Sequence, residues 1–80
     1  MENHVANWRR LRETRRRLRV SQAELARAMG LRHQAVHRRE LPEDHPDHVA
    51  MSNGELLEWI AKAQQIVEKR ALTPADLLDA

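Results

Sequence analysis

Residues 21–40, SQAELARAMGLRHQAVHRRE, hold a single glycine, and it divides two short segments of opposite character. Ahead of it, Ser21 and Glu24 have the spacing of a capping box, so a helix is expected to start at Gln22. Leu25, Ala26 and Met29 follow at helical spacing and give that helix an inward face. Gly30 fits the left-handed position just past its end. A second helix is expected from near Arg32 or His33 to about Glu40. Its inward residues are few, chiefly Ala35 and Val36. Arg32, His33, Gln34, His37 and Arg38 are left for some other task.

The rest of the chain reads as helix and loop. Trp8, Leu11, Arg15 and Leu18 share one face of a helix expected from about His4 to Arg19. Pro42 and Pro46 deny a regular helix to LPEDHPDHVAM, which reads as a loop of about ten residues. Ser52 and Glu55 form a second capping box, so a helix should run from Asn53 to about Arg70. Thr73 before Pro74 suggests one more start, and a short fifth helix from Pro74 to Leu78. β-branched and aromatic residues are scarce, which argues against strands. The expectation is an all-α chain of five helices, with residues 1–80 forming one domain.

Charge divides the chain in two. Residues 1–41 carry eleven Arg and four Glu, a net of +7. Residues 42–80 carry three basic and eight acidic residues, a net of −5. The basic half uses Arg alone, the side chain suited to bidentate phosphate and guanine contacts, so it suggests a nucleic-acid face rather than an ordinary solvated surface. There is no cysteine, and therefore no disulfide or thiolate metal site. No apolar run is long enough to span a membrane, and the charged N-terminus lacks the apolar stretch of a signal peptide, so a cytoplasmic protein is expected.

Catalysis finds little support. Ser21 and Ser52 serve better as caps than as nucleophiles, and no glycine-rich phosphate cradle exists. His33 and His37 stand four apart, a spacing that can share a metal, but there is no HExxH glutamate placement and no cysteine, and no metal, cofactor or small-molecule ligand is expected.

Two short helices joined by a glycine-containing turn make a helix-turn-helix. The second helix of such a unit lies in the DNA major groove with its N-terminal residues at base edges. Arg32, His33 and Gln34 would then meet bases, with His37 and Arg38 one turn on. Gln pairs bidentately with adenine and Arg with guanine. In RRLRETRRRLR, Arg9, Arg16 and Arg19 are expected at phosphates flanking the groove.

The spacing of SQAELARAMGL and of the later Val36 and Glu40 resembles the lambda-repressor-like, Cro-type (xenobiotic-response-element) helix-turn-helix family. The likeness covers residues 8–41 and continues more weakly into the closing helices. It implies that Gln22 bonds a phosphate and braces the second helix, and that Arg32, His33, Gln34 and Arg38 contact bases or phosphates. It also implies an ion pair between Arg15 and Glu40, which agrees with the need of an arginine on an apolar face for a partner. Arg39 departs from the family, which usually has a large apolar residue there. Either Leu41 fills that space or Arg39 snorkels to a phosphate.

The expected partner is a palindromic operator in double-stranded DNA, bound by a homodimer. The resemblance implies a repressor of a phage or mobile-element operon, often autoregulatory, as in anti-CRISPR-associated or restriction-modification control. The broad apolar arc of the fourth helix suggests dimerisation through residues 53–78, using Trp59, Ile66, Leu72, Leu77 and Leu78. Alternatives are an RNA-binding regulator, which the scarcity of aromatics disfavours, and an antitoxin or adaptor that holds a protein.

Overall fold

Four helices, and no strand, make up the described part of the chain, which is residues 6–71 of a computed structural model. They are α1 (Asn7–Arg17), α2 (Gln22–Met29), α3 (His33–Arg39) and α4 (Asn53–Ala71). The expected fifth helix, Pro74–Leu78, lies outside the described residues, as do residues 1–5. None of the four helices is long and apolar enough to cross a membrane.

Local chemistry sets the helix ends. At α2, Ser21 Oγ accepts from the Glu24 amide at 3.0 Å and the Glu24 carboxylate accepts from the Ser21 amide at 3.0 Å. Ser52 and Glu55 repeat the reciprocal pair ahead of α4 at 3.0 and 3.1 Å. Each box satisfies amides that no helical carbonyl can reach. By contrast, α1 starts at Ala6 without a side-chain cap, and its first turn has no acid.

Both α1 and α2 close with the same backbone motif. The Val20 amide bonds the Arg15 carbonyl and the Arg19 amide bonds that of Arg16. After α2, the Leu31 amide bonds the Ala26 carbonyl and the Gly30 amide that of Arg27. This Schellman arrangement needs a left-handed residue past the helix end. Gly30 supplies it at φ 69°, but in α1 the position falls to Arg19 at φ 58°. A helix continuing to Arg19 was expected; the left-handed residue ends it at Arg17 instead.

The core draws on every helix. Leu11, Val20, Leu25, Ala26, Val36, Met51, Leu56, Trp59 and Ala63 are buried, and Leu18, Met29, Ile60, Ile66 and Val67 pack around them. Each large side chain removed from water contributes roughly 1.5–3 kcal/mol. Here α2 packs on α3, and α4 lies against both α1 and α2. Between α3 and α4, the chain crosses residues 40–52 in turns (His45 amide to Pro42 carbonyl, His48 amide to His45 carbonyl). The Asn7 side-chain amide donates to the Met51 carbonyl and to Asn53 Oδ1, both at 2.9 Å, and so ties the start of α1 to the start of α4.

Trp59 differs from expectation. Assigned to a dimer surface, it is 4% exposed and belongs to the protein's own core. Ile66 is partly buried against the same core, while Leu72, Leu77 and Leu78 lie outside the described residues. The large apolar residue that α4 does leave open is Leu57, at 68% exposure.

Candidate nucleic-acid interface

With seven residues, α3 has one buried apolar anchor, Val36. So little apolar area cannot hold a helix alone, and polar ties at its C-terminal end do the rest. Arg15 Nε donates to Glu40 Oε2 at 2.6 Å and Arg15 Nη2 to Oε1 at 2.7 Å, a bidentate pair. The third nitrogen, Nη1, donates to the Val20 carbonyl at 2.8 Å. Gln22 adds its side-chain amide to Glu40 Oε1 at 3.0 Å. Arg15 is 8% and Glu40 4% exposed. A buried pair this fully hydrogen-bonded avoids most of the penalty of an incompletely satisfied one.

Arg39 completes the anchoring. Its guanidinium lies 4.9 Å from the centroid of the Trp59 ring, and Nη1 donates to the Ala35 carbonyl at 2.9 Å. A cation over an indole face is favourable, more so when shielded from water. The stem and head of Arg39 thus occupy the place of a large apolar residue and join α3 to α4. The following loop adds two bonds, from the Val49 amide to the Arg38 carbonyl at 3.2 Å and between His48 Nδ1 and the Leu41 carbonyl at 2.7 Å.

The opposite face of α3 carries its remaining polar side chains. Arg32, His33, Gln34, His37 and Arg38 are all exposed. The His33 and His37 rings stack with centroids 6.3 Å apart and planes inclined by 21°. Gln34 and Arg38, four residues apart, stand one turn above each other on that face. The basic last turn of α3 also suits the negative end of its helix dipole.

The other expected contact residues are divided. Gln22 has its amide nitrogen committed to Glu40 at the end of α3. Arg16 and Arg19 are exposed. Arg9 is exposed as well, although its guanidinium also lies 5.2 Å from the Trp8 centroid; that of Arg12 lies at 5.0 Å.

One feature near the site had no signal in the local sequence. From the end of α4, Arg70 Nη1 donates to the Arg19 carbonyl at 2.8 Å and Nη2 pairs with Glu24 Oε2. This clamp joins α4 to the α1–α2 turn and to the α2 cap. The Arg70 hydrogen bond, helped by the Ser21 amide, holds the Glu24 carboxyl down at about 2.

Comparison with protein-family models, curated proteins and solved structures finds no match to this chain.

Proposed function

We propose that the protein is a sequence-specific DNA-binding transcriptional regulator, a repressor that binds a palindromic operator as a homodimer. The observation that carries this reading is the division of α3 into two faces. One face is fixed by Val36, by Arg39 on Trp59 and by Glu40 between Arg15 and Gln22. The other offers Arg32, His33, Gln34, His37 and Arg38 to solvent. A short helix that is rigidly backed and outwardly basic and amide-bearing suits the major groove, where Arg reads guanine and Gln reads adenine. Arg16 and Arg19 are the proposed phosphate contacts beside it, with Arg9 shared between its phosphate and the Trp8 ring.

Duplex DNA is favoured over single-stranded RNA because neither tryptophan offers a free stacking platform. Trp59 is buried under Arg39, and Trp8 is flanked by two guanidinium groups. Sequence-specific RNA readers depend on such platforms.

Selection of bound duplexes from a random pool tests the reading. The expected result is a recovered inverted repeat, with half-sites about one helical turn apart and steep weakening of binding as salt rises. Recovery of no preferred sequence, with only weak binding to all DNA, would overturn it in favour of a protein-binding module.

A further inference from the structure

Two ionisable rings on the outer face of α3 play no part in holding the fold. His33 and His37 are exposed, and their rings stack with centroids 6.3 Å apart. The histidines of the loop that follows are engaged differently. His45 Nδ1 accepts from the Asp47 amide at 3.0 Å, and His48 Nδ1 lies 2.7 Å from the Leu41 carbonyl. Neither ring of the α3 pair has such a bond with a described residue, and neither forms an ion pair with one. Imidazole is the side chain whose charge ordinarily changes between roughly pH 5 and 8. The face proposed to meet DNA therefore carries two neighbouring groups whose charge follows the solution.

The surroundings give these rings no acid of their own. On α3 they stand among Arg32 and Arg38. The helix packed on α3, α2, brings the exposed Arg27 and a Glu24 that is bonded to Ser21 and Arg70. From α1, Arg15 meets the end of α3 and is taken up by Glu40. From α4, contact with α3 is made by Trp59 under Arg39, and Glu55 is bonded to Ser52. The loop after α3 carries Glu43, Asp44 and Asp47, all exposed and none paired with either ring. A docked duplex changes this setting, because a phosphate oxygen beside an imidazolium favours the charged form. Each proton taken up on docking adds a cation to the interface and releases a counterion from the DNA.

We propose that His33 and His37 make DNA binding proton-linked, so that the outer face of α3 grips a duplex more tightly as pH falls from about 8 to about 6. The gain is complete where both docked rings are charged. It is lost as pH rises and they release their protons. The proposal rests on the proposed function and names a regulation of that same site.

The test uses the full chain, with affinity measured by fluorescence anisotropy for the selected operator and for a duplex of unrelated sequence. The wild type is expected to bind both about five-fold or more tightly at about pH 6 than at about pH 8, as proton uptake on binding requires. Its salt dependence should steepen by about one to two over the same range, since each added phosphate contact contributes about 0.9 to the slope. His33→Gln/His37→Gln should lose the pH dependence on the unrelated duplex, whatever its affinity for the operator. His33→Arg/His37→Arg carries charges that do not titrate. It should bind the unrelated duplex at about pH 8 to within about two-fold of the wild type at about pH 6. His45→Gln should keep the wild-type dependence. A wild type that binds operator equally well at both ends of the range overturns the proton linkage, as does an undiminished dependence in His33→Gln/His37→Gln. A wild type that binds no selected duplex overturns the underlying function, and the linkage with it.

Discussion

Both α3 and α4 touch the same core, but they are held in different ways. The longer helix, α4, supplies Leu56, Trp59 and Ala63 as buried side chains, with Ile60, Ile66 and Val67 beside them. Apolar area keeps it in place. By comparison, α3 has Val36 and then relies on a buried ion pair, a side-chain amide and a cation over an indole ring. A helix fastened by a few directional contacts at one end can leave its other face polar. The fold thus separates the element that stabilises from the element that is presented.

The largest effect is expected from breaking the directional contacts. Glu40→Ala leaves the Arg15 guanidinium buried without its carboxylate, a loss of roughly 3–5 kcal/mol in urea unfolding. Replacing both partners, as in Arg15→Met/Glu40→Leu, should recover much of that stability. If Glu40→Ala unfolds like the wild type, the ion pair does not hold α3. The matching change in α4, Leu56→Ala, should cost about 2–5 kcal/mol through lost burial and a cavity. No polar substitution elsewhere should rescue it, because that contact is not directional.

How much of this was legible in the sequence divides along the same line. Features that depend on neighbours in the chain were readable. Ser21 with Glu24, Ser52 with Glu55, and Gly30 marked helix ends because their chemistry acts over three or four residues. The Arg15–Glu40 pair came from an arginine on an apolar face and from a resemblance in spacing. Tertiary contacts that neither an odd residue on an apolar face nor a familiar spacing marks were not readable. Trp59 looked like spare surface because a helical wheel cannot show that Arg39, on another helix, covers it. Arg70 meets Arg19 and Glu24 from about fifty residues away, and no periodicity marks such a pairing. The left-handed residue that ends α1 was hidden because it is an arginine where glycine is usual.

That arginine gives a smaller and opposite prediction. At φ 58°, Arg19 bears a strain that glycine does not. Arg19→Gly should therefore stabilise the fold by about 1 kcal/mol. The same change should weaken DNA binding if the side chain meets phosphate. A destabilised variant would show that the side chain of Arg19 supports the fold.

The smallest expected effect concerns acid. Because the Glu24 carboxyl is held at about 2 by Arg70 and Ser21, its contribution is complete above the ordinary carboxylate value of 4.5. It fades as pH falls from there through about 2. Glu24→Gln should flatten the acid side of the stability profile in that window while leaving the neutral side with less stability than the wild type. A profile parallel to the wild type would remove Glu24 from the acid response.

The central claim is that one face of α3 builds the fold and the other reads DNA. It is tested most directly by measuring selected-operator affinity, base preference and thermal stability for Gln34→Ala and Arg38→Ala. The account predicts that each loses about 1–3 kcal/mol of binding and relaxes preference at particular positions, with the melting temperature nearly unchanged. Full affinity and unaltered preference in both variants would contradict it.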